Sequence, residues 1–488
     1  MKRFVLFTLT LFLNFAANQL FAQRTLTLEE SIRLAQENSP TAKIAKSVYS
    51  SKLYNYSSFR SEYMPNISLT GSIPGLDRSI NQNRLDDGTE IFVEQSNLFS
   101  SADLLLNQRI PWTGGNISIT SGLSRIDILE PVDRYYWRTT PFSISLDQPI
   151  FQFNSMKWDI EEQELDYKAA SKEFIVDMEA LAMDVAAAFF DVYIERMNVE
   201  NAELNVSIND TLYTISKGRY QVGKIAENDL LQNELALSNS RIELENSRLD
   251  YLRAKEELAI LIGIDHDDEL QIITPADIPE FEVIAEKAVE FARENNPQML
   301  GYEIDKLRAS RNLASAKSSN DFDATLRASF GYNQSAGQFN DAYQELLDQE
   351  RLNLTFSMPI FQWGRGSAEV EAAKADKERT FATVELQKRN FEQDVKYQAL
   401  RFRQLQRQVA VSAKADTIAR RRYEVAKNRY LIGKIDLNTF FIAQNEKDAA
   451  LRSYIQTLKS YWVSYFNLRR LTLYDFIRKE KIAGEIKP

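Results

Sequence analysis

The 488-residue chain has no cysteine and a single histidine. Without cysteine there are no disulfides, no thiolate metal sites and no lipid attachment through an N-terminal Cys. With one histidine and no Gly-rich phosphate loop, little remains from which to build catalysis. The one acidic run beside that histidine, Asp265-His266-Asp267-Asp268-Glu269, sits in a Pro-flanked loop and reads as a solvated turn. The 69 Asp and Glu fall mostly on the flanks of heptads, the usual place for solubilising charge. No catalytic residue, metal ligand or cofactor is expected, and the chain does not read as an enzyme. A positive balance is also missing: the formal net charge is −10, which argues against nucleic acid as a partner. Arg420-Arg421-Arg422 lies in a mixed-charge helix and reads as a solvated face. Beyond the N-terminus no apolar run approaches the roughly 18 residues of a spanning helix, so any membrane crossing must use strands.

Lys2 and Arg3 precede an almost unbroken apolar stretch from Phe4 to Phe15, with a plausible cut at Ala22-Gln23. Residues 1–22 therefore read as a secretory signal peptide. The rest of the chain is duplicated. Arg219-Tyr220-Gln221-Val222-Gly223-Lys224-Ile225 returns 210 residues later as Arg429-Tyr430-Leu431-Ile432-Gly433-Lys434-Ile435. Pro149-Ile150-Phe151-Gln152-Phe153 returns at the same shift as Pro359-Ile360-Phe361-Gln362-Trp363. Two different motifs at one offset identify an internal repeat. A third pair, Ala35-Gln36-Glu37-Asn38-Ser39-Pro40 and Ala292-Arg293-Glu294-Asn295-Asn296-Pro297, is shifted by 257. The first repeat thus carries 47 extra residues between that segment and the Pro-Ile-Phe-Gln motif.

Thr27-Leu28-Glu29-Glu30 has the form of a helix start, and residues 23–63 read as a helical segment. From 64 to 151 the period changes to two. Ile67, Leu69 and Ile73 alternate with polar residues, as do Leu104 and Leu106, Ile117 and Ile119, and Phe142, Ile144 and Leu146. The second repeat has two such segments within 321–361. Each alternates over roughly ten residues, the length of a tilted membrane-crossing strand. One face is apolar and the other densely polar. Trp112, Trp137, Phe151, Phe361 and Trp363 near the segment ends suit anchors at the membrane interface. The polar stretches 77–97 and 334–349 read as outward loops.

Residues 152–262 and 362–470 read as two long helical hairpins, with tips at 217–229 and 427–439 and their glycines in the turns. In the first, Phe174, Met178, Leu181, Val185, Ala188 and Val192 step by four and three, a heptad seam. Its second helix shows two seven-residue series: Leu230, Leu237, Leu244, Tyr251 and Leu258, and separately Leu235, Ile242 and Leu249. Two seams on one helix predict a neighbour on each side, as in a closed ring. Residues 263–320 connect the repeats, and 471–488 form a tail whose Arg-Lys-Glu-Lys stretch (478–481) looks solvated.

A signal peptide, strands, a long hairpin with an Arg-Tyr-x-x-Gly tip, and then the same again: the chain resembles the TolC family of outer-membrane efflux proteins. The resemblance implies an α+β membrane protein, a trimeric transmembrane β-barrel with strands from each subunit, continuous with a long periplasmic α-helical barrel. It implies a homotrimer in outer-membrane lipid that meets a periplasmic adaptor (membrane fusion) protein and an inner-membrane pump of RND or ABC type. The protein would be a passive exit duct of a Gram-negative outer membrane. The tips would bind the adaptor through Arg219, Tyr220, Val222, Gly223, Lys224, Arg429, Tyr430, Ile432, Gly433 and Lys434. Two departures stand out. Family subunits usually give four strands, whereas six alternating segments are present here. The surplus pair, about 101–124, either widens the barrel or forms a hairpin outside it. The acidic positions six and nine residues past the second-tip glycine are here Thr439 and Ile442. The entrance candidates are therefore Asp229 and Asp436 as acids, Thr439 at the sixth position, and Phe440, Phe441 or Ile442 for apolar closure. The rival readings are a secreted coiled-coil scaffold without a pore and a protein-exporting type I duct.

Overall fold

The computed structural model describes residues 25–264, 271–273, 279, 281–432 and 434–482. The expected signal peptide, the acidic run around His266, Pro275 and Gly433 lie outside the described residues. In chain order the elements are β1 (Thr25–Leu26), α1 (Leu28–Asn38), α2 (Pro40–Ser61), β2 (Asn66–Arg84), β3 (Glu90–Ile110), β4 (Gly115–Glu130), β5 (Arg134–Ile150), α3 (Ser155–Gln221) and α4 (Glu227–Ile262). They continue with β6 (Gln271–Ile272), α5 (Ala285–Asn295), α6 (Pro297–Ser319), β7 (Asp323–Ala336), β8 (Leu347–Ser357), α7 (Arg365–Leu431), α8 (Leu437–Thr472), β9 (Tyr474–Asp475) and β10 (Glu480–Lys481). The duplication holds to the residue in the helices. The pair α3 and α7 has 67 residues each and the pair α4 and α8 has 36 each, both at the 210-residue shift. The pair α1 and α5 has 11 residues each at the shift of 257, and Pro40 and Pro297 both open the helix that follows. Proline suits that first position because its missing N–H would have no partner there.

The chain forms two compact units. The first comprises Met1–Ser50, Ala170–Met299 and Arg389–Pro488. Here Thr27 caps α1 as its spacing predicts: the Glu30 N–H donates to Thr27 Oγ1 at 3.2 Å and the Thr27 N–H to the Glu30 carboxylate at 3.0 Å. The core gathers Leu181, Val185 and Phe189 of α3 with Leu258 and Ile262 of α4, Phe402 of α7 and Tyr461 of α8. Side-chain bonds fix the lateral order of the long helices. Asn209 of α3 bonds Ser240 of α4, Asn205 of α3 bonds Gln444 of α8, and Arg422 of α7 pairs with Glu446 of α8. The order is α4–α3–α8–α7, with α4 and α7 outermost.

Gly263 ends α4 in the left-handed conformation (φ 72°), and a Cβ there would lie 2.7 Å from the carbonyl carbon and oxygen of Asn38. Gly223 also has a positive φ (69°), but nothing stands within 4 Å of its would-be Cβ. We expect Gly263→Ala to lower the stability of the folded protein by about 2–3 kcal/mol, from left-handed strain plus overpacking. Gly223→Ala should cost about 1 kcal/mol, from strain alone. Thermal unfolding followed by circular dichroism in detergent compares the two.

The second unit comprises Ser51–Ala169 and Leu300–Lys388. Its helices stand in the order α2–α3–α6–α7. Tyr56 stacks on Tyr167 at 4.6 Å, Arg308 and Arg311 of α6 hold Glu162 of α3 at 2.7 and 3.1 Å, and Asn320 reaches Glu369 at 3.1 Å. All six long strands form one antiparallel sheet, in the order β2-β3-β4-β5-β7-β8. The surplus pair is thus continuous with the other four strands.

Two expectations fail here. Five strands run 19, 21, 16, 17 and 14 residues rather than roughly ten, while β8, at 11, keeps the expected length. Stretch 77–97 is not a loop: β2 and β3 pair from Asp77↔Asn97 to Arg84↔Glu90, and only 85–89 turn. Stretch 334–349 likewise begins and ends in strand and folds a short 3-10 turn, Asp341–Tyr343, over β5 through a bond from Thr139 Oγ1 to the Ala342 carbonyl. The reason is that a backbone ladder needs no apolar face. Above the alternating region, polar pairs cross the strands instead: Arg78 with Glu94 at 3.5 Å and Gln82 with Glu90 at 2.6 Å. Side-chain periodicity is blind to such an extension.

Candidate functional site

Both tips share one closing bond. The Lys224 N–H donates to the Arg219 carbonyl at 2.9 Å and the Gly223 N–H to the Tyr220 carbonyl at 2.9 Å. These two bonds form the six-to-one and five-to-two closure of a helix C-terminus, which requires a left-handed residue such as glycine. At the second tip the Lys434 N–H donates to the Arg429 carbonyl at 2.8 Å, 210 residues on. Each closure leaves an apolar side chain standing out beside a lysine: Val222 is 67% exposed and Ile432 66%. Arg219, Lys224, Arg429 and Lys434 are exposed as well. Tyr220 is exposed, but its repeat mate Tyr430 is half-buried and stacks on Phe440 at 5.3 Å.

The entrance candidates divide by role. Asp436 caps α8: its carboxylate accepts from the Thr439 N–H at 2.8 Å and the Thr439 hydroxyl at 2.9 Å. Those bonds hold its carboxyl below the usual aspartate range. Asp229 accepts from the Ala226 N–H at 3.4 Å at the start of α4. Phe440 does not stand free for apolar closure; it is buried against Tyr423, Tyr430 and Leu212. An aromatic ring so enclosed gains more from packing than a water-facing position offers. Phe441 is half-buried, while Thr439 and Ile442 are exposed.

Beside that cluster lies a polar interior that the sequence reading did not single out. Gln444 is buried on Asn205, and Lys447 is buried with Asp448 at 3.0 Å and sits over the Tyr423 ring at 4.8 Å. The signal for it was present. Phe440, Gln444, Lys447, Leu451, Ile455 and Leu458 step by four and three along α8, so two polar residues occupy seam positions.

The sheet separates its chemistry by face, as alternation predicts. Ile67, Leu106, Ile119, Ile144 and Phe330 form one apolar row across five strands. On the other face Asn66, Asn107, Ser118, Ser145, Ser329 and Arg351 form a polar row across all six. The next polar row holds Asp147 bonded to Arg327 at 2.8 Å. Trp112 lies in the turn between β3 and β4, Phe151 follows β5, and Phe361 and Trp363 follow β8; all four rings are exposed. Phe151 and Trp363 hold these positions at positive φ (60° and 54°), a conformation strained for any side chain. Trp137 lies inside β5 near its far end, edge-on to Phe339 at 5.3 Å and with the Arg125 guanidinium 5.5 Å away.

Both units end in open sides. In the sheet β2 and β8 are outermost, with Leu69 74% and Leu352 78% exposed. Among the helices, the second series on α4 (Leu235, Ile242 and Leu249) is exposed, whereas Leu237 and Leu258 of the first are buried. Outermost α7 shows a matching exposed series, Val411, Ile418 and Val425, again seven apart, and Ile432 continues it into the tip turn. Among the described residues, no helix is long and apolar enough to cross a membrane and no group of three His, Asp or Glu side chains is placed to hold a metal ion.

The family profile described as "Outer membrane efflux protein" matches residues 116–264 and 288–472, more than half of the chain. The chain belongs to the outer membrane efflux protein family. It is therefore a transport protein of the outer membrane, and the family is not a catalytic one. No curated protein sequence matches it. Solved structures share its fold. The CmeC outer membrane channel of Campylobacter jejuni is 15% identical over 94% of this chain and 87% of that one, with a TM-score of 0.66. A membrane protein from Pseudomonas aeruginosa is 14% identical over 94% and 92%, with a TM-score of 0.65. The open-state MtrE outer membrane channel of Neisseria gonorrhoeae is 14% identical over 91% and 88%, with a TM-score of 0.60. In this efflux protein the matched span contains both tips, all four long helices and strands β4, β5, β7 and β8.

Proposed function

We propose that this efflux protein is the exit duct of a tripartite efflux or secretion system, working as a homotrimer. The sheets of three copies close into one β-barrel and their helices into one tube, and substrates cross the outer membrane passively inside. The observation that carries this reading is the pair of open sides in each unit. A sheet with two long, exposed apolar edge strands invites pairing with another copy, and a ring removes every edge at once. The helix seams agree. Leu235, Ile242 and Leu249 lie 12, 19 and 26 residues beyond Gly223, while Val425, Ile418 and Val411 lie 8, 15 and 22 residues before Gly433. With tips level, the two antiparallel series interleave as knobs and holes.

The energy for export comes from an inner-membrane pump, of RND or ABC type, reached through a periplasmic adaptor. The adaptor engages the tips at Val222, Gly223 and Lys224 and at Ile432, Gly433 and Lys434, flanked by Arg219, Tyr220, Arg429 and Tyr430. Its contact favours a more open arrangement of the tips, past an entrance lined by Thr439 and Ile442 near the capping acids Asp229 and Asp436. Mass in detergent combined with planar-bilayer conductance tests the reading. A trimer that passes ions is the expected result; a water-soluble single chain that passes none overturns it.

A further inference from the structure

Resting on the ring reading above, we propose that all six strands of each copy enter the barrel wall. The outer-membrane bore is then eighteen-stranded, about as wide as the ring of helix ends in the same unit, and admits cargo much bulkier than a drug-sized molecule. Unit two supplies the measure. In each copy four helices, α2–α3–α6–α7, stand with one six-stranded sheet. Four helices packed about 9 Å apart occupy about 36 Å of a ring's perimeter. Six strands about 4.8 Å apart and tilted about 40° occupy about 38 Å. Four strands at that tilt would cover only about 25 Å. With six strands the helical and the pleated parts of a copy therefore claim equal arcs, and the wall need not narrow. Three copies give about 36 Å between opposite backbones, against about 24 Å for four strands each.

Continuity of the sheet favours the same conclusion. A β2–β3 hairpin displaced from the wall would break the β3–β4 ladder, which instead runs from Ser96 to Ile110 with a single register shift, at its Ser96 end. A displaced 101–124 hairpin would break the β4–β5 ladder, which instead runs from Asn116 to Ile128. The polar face across β2 and β3 is also of one kind with the rest: Asn66 and Asn107 continue the row of Ser118, Ser145 and Ser329. Asp147 is neutralised by Arg327 in the adjoining row. Such a wall offers mainly hydroxyls and amides, to which Asp103 and Arg351 add one charge of each sign. The bore therefore sorts cargo little by charge and suits an extended polypeptide or another macromolecule that carries both signs.

The absence of native cysteine makes cross-linking clean. In the full chain in outer membranes, Ser68→Cys on β2 with Thr355→Cys on β8 should give covalent dimers and trimers with a short bismaleimide. Thr120→Cys on β4, in the same cross-strand row as Ser68, should give none with Thr355→Cys. The reverse pattern, with trimer mass retained in detergent, places the first hairpin outside the wall and overturns the inference while leaving the ring intact. Loss of both cross-links together with a single-chain mass overturns the ring and the inference with it.

Discussion

Aspartate at both Ile242 and Ile418 is expected to abolish assembly: the protein should run in detergent as single chains, and export should fall to background. Ile242 is 59% exposed in the single chain and Ile418 57%, so neither change disturbs the fold of one copy by more than about 0.5 kcal/mol. In the ring each carboxylate would enter an apolar seam facing another carboxylate. An unpaired charge in such a place costs several kcal/mol, about 3–5 by the measure of broken buried pairs, and a trimer repeats that cost three times. Circular dichroism of the variant should keep its helical signal, which separates failed assembly from failed folding. Ile242→Asp with Ile418→Arg should recover part of the trimer, because opposite charges then meet across the same contact. Normal trimer mass in the double-aspartate protein would remove the two seams from the assembly.

How far the sequence reached depended on which force writes each feature. The helices were legible in detail because their two signals, a heptad seam and a glycine stop, are both side-chain signals. The matching closure bonds onto Arg219 and Arg429 follow directly from the repeated Arg-Tyr-x-x-Gly stretches. The two faces of the sheet were legible for the same reason. Strand length was not, because beyond Ile73 and Leu104 the ladder is held by backbone bonds and by polar pairs such as Gln82 with Glu90, and neither leaves a period of two in hydrophobicity. Phe440 was misread for want of a partner. Position alone set it beside Phe441 and Ile442, and only the approach of Tyr423 and Leu212, distant in sequence, decides that it is buried. The tail shows the same limit. Residues 478–481 are exposed as expected, yet Asp475 and Phe476 just before them are core.

That buried Asp475 belongs to a buried charge cluster in unit one. Arg469 holds Glu179 at 2.8 Å and Asp475 at 3.2 Å, and Tyr465 donates its hydroxyl to Asp475 at 2.8 Å. The Glu179 side chain is 3% exposed and that of Asp475 7%. Burial pushes the Glu179 carboxyl above its usual range, and Arg469 only partly offsets this. Asp475 is shifted the other way: burial alone would raise it, but the Arg478 and Ile477 N–H groups, Tyr465 and Arg469 together hold it low. Arg469→Ala should therefore destabilise the protein by about 3–5 kcal/mol at neutral pH, because two carboxylates stay buried with their shared cation gone. The pH dependence has a definite sign. A carboxyl whose folded pKa lies above its unfolded value of 4.5 stabilises the fold below that value and loses the contribution as pH rises through the folded pKa. Removing Arg469 raises the Glu179 pKa further, so the variant should recover stability as the medium is made mildly acidic toward 4.5. Asp475 sets the lower limit. Its depressed pKa stabilises the fold above 3.8 and loses that contribution as pH falls through the folded pKa. Melting temperature measured across this range should give a variant curve that approaches the wild-type curve on the acid side. A constant gap at every pH would mean that Glu179 stays ionised without its arginine and that the loss is one of packing.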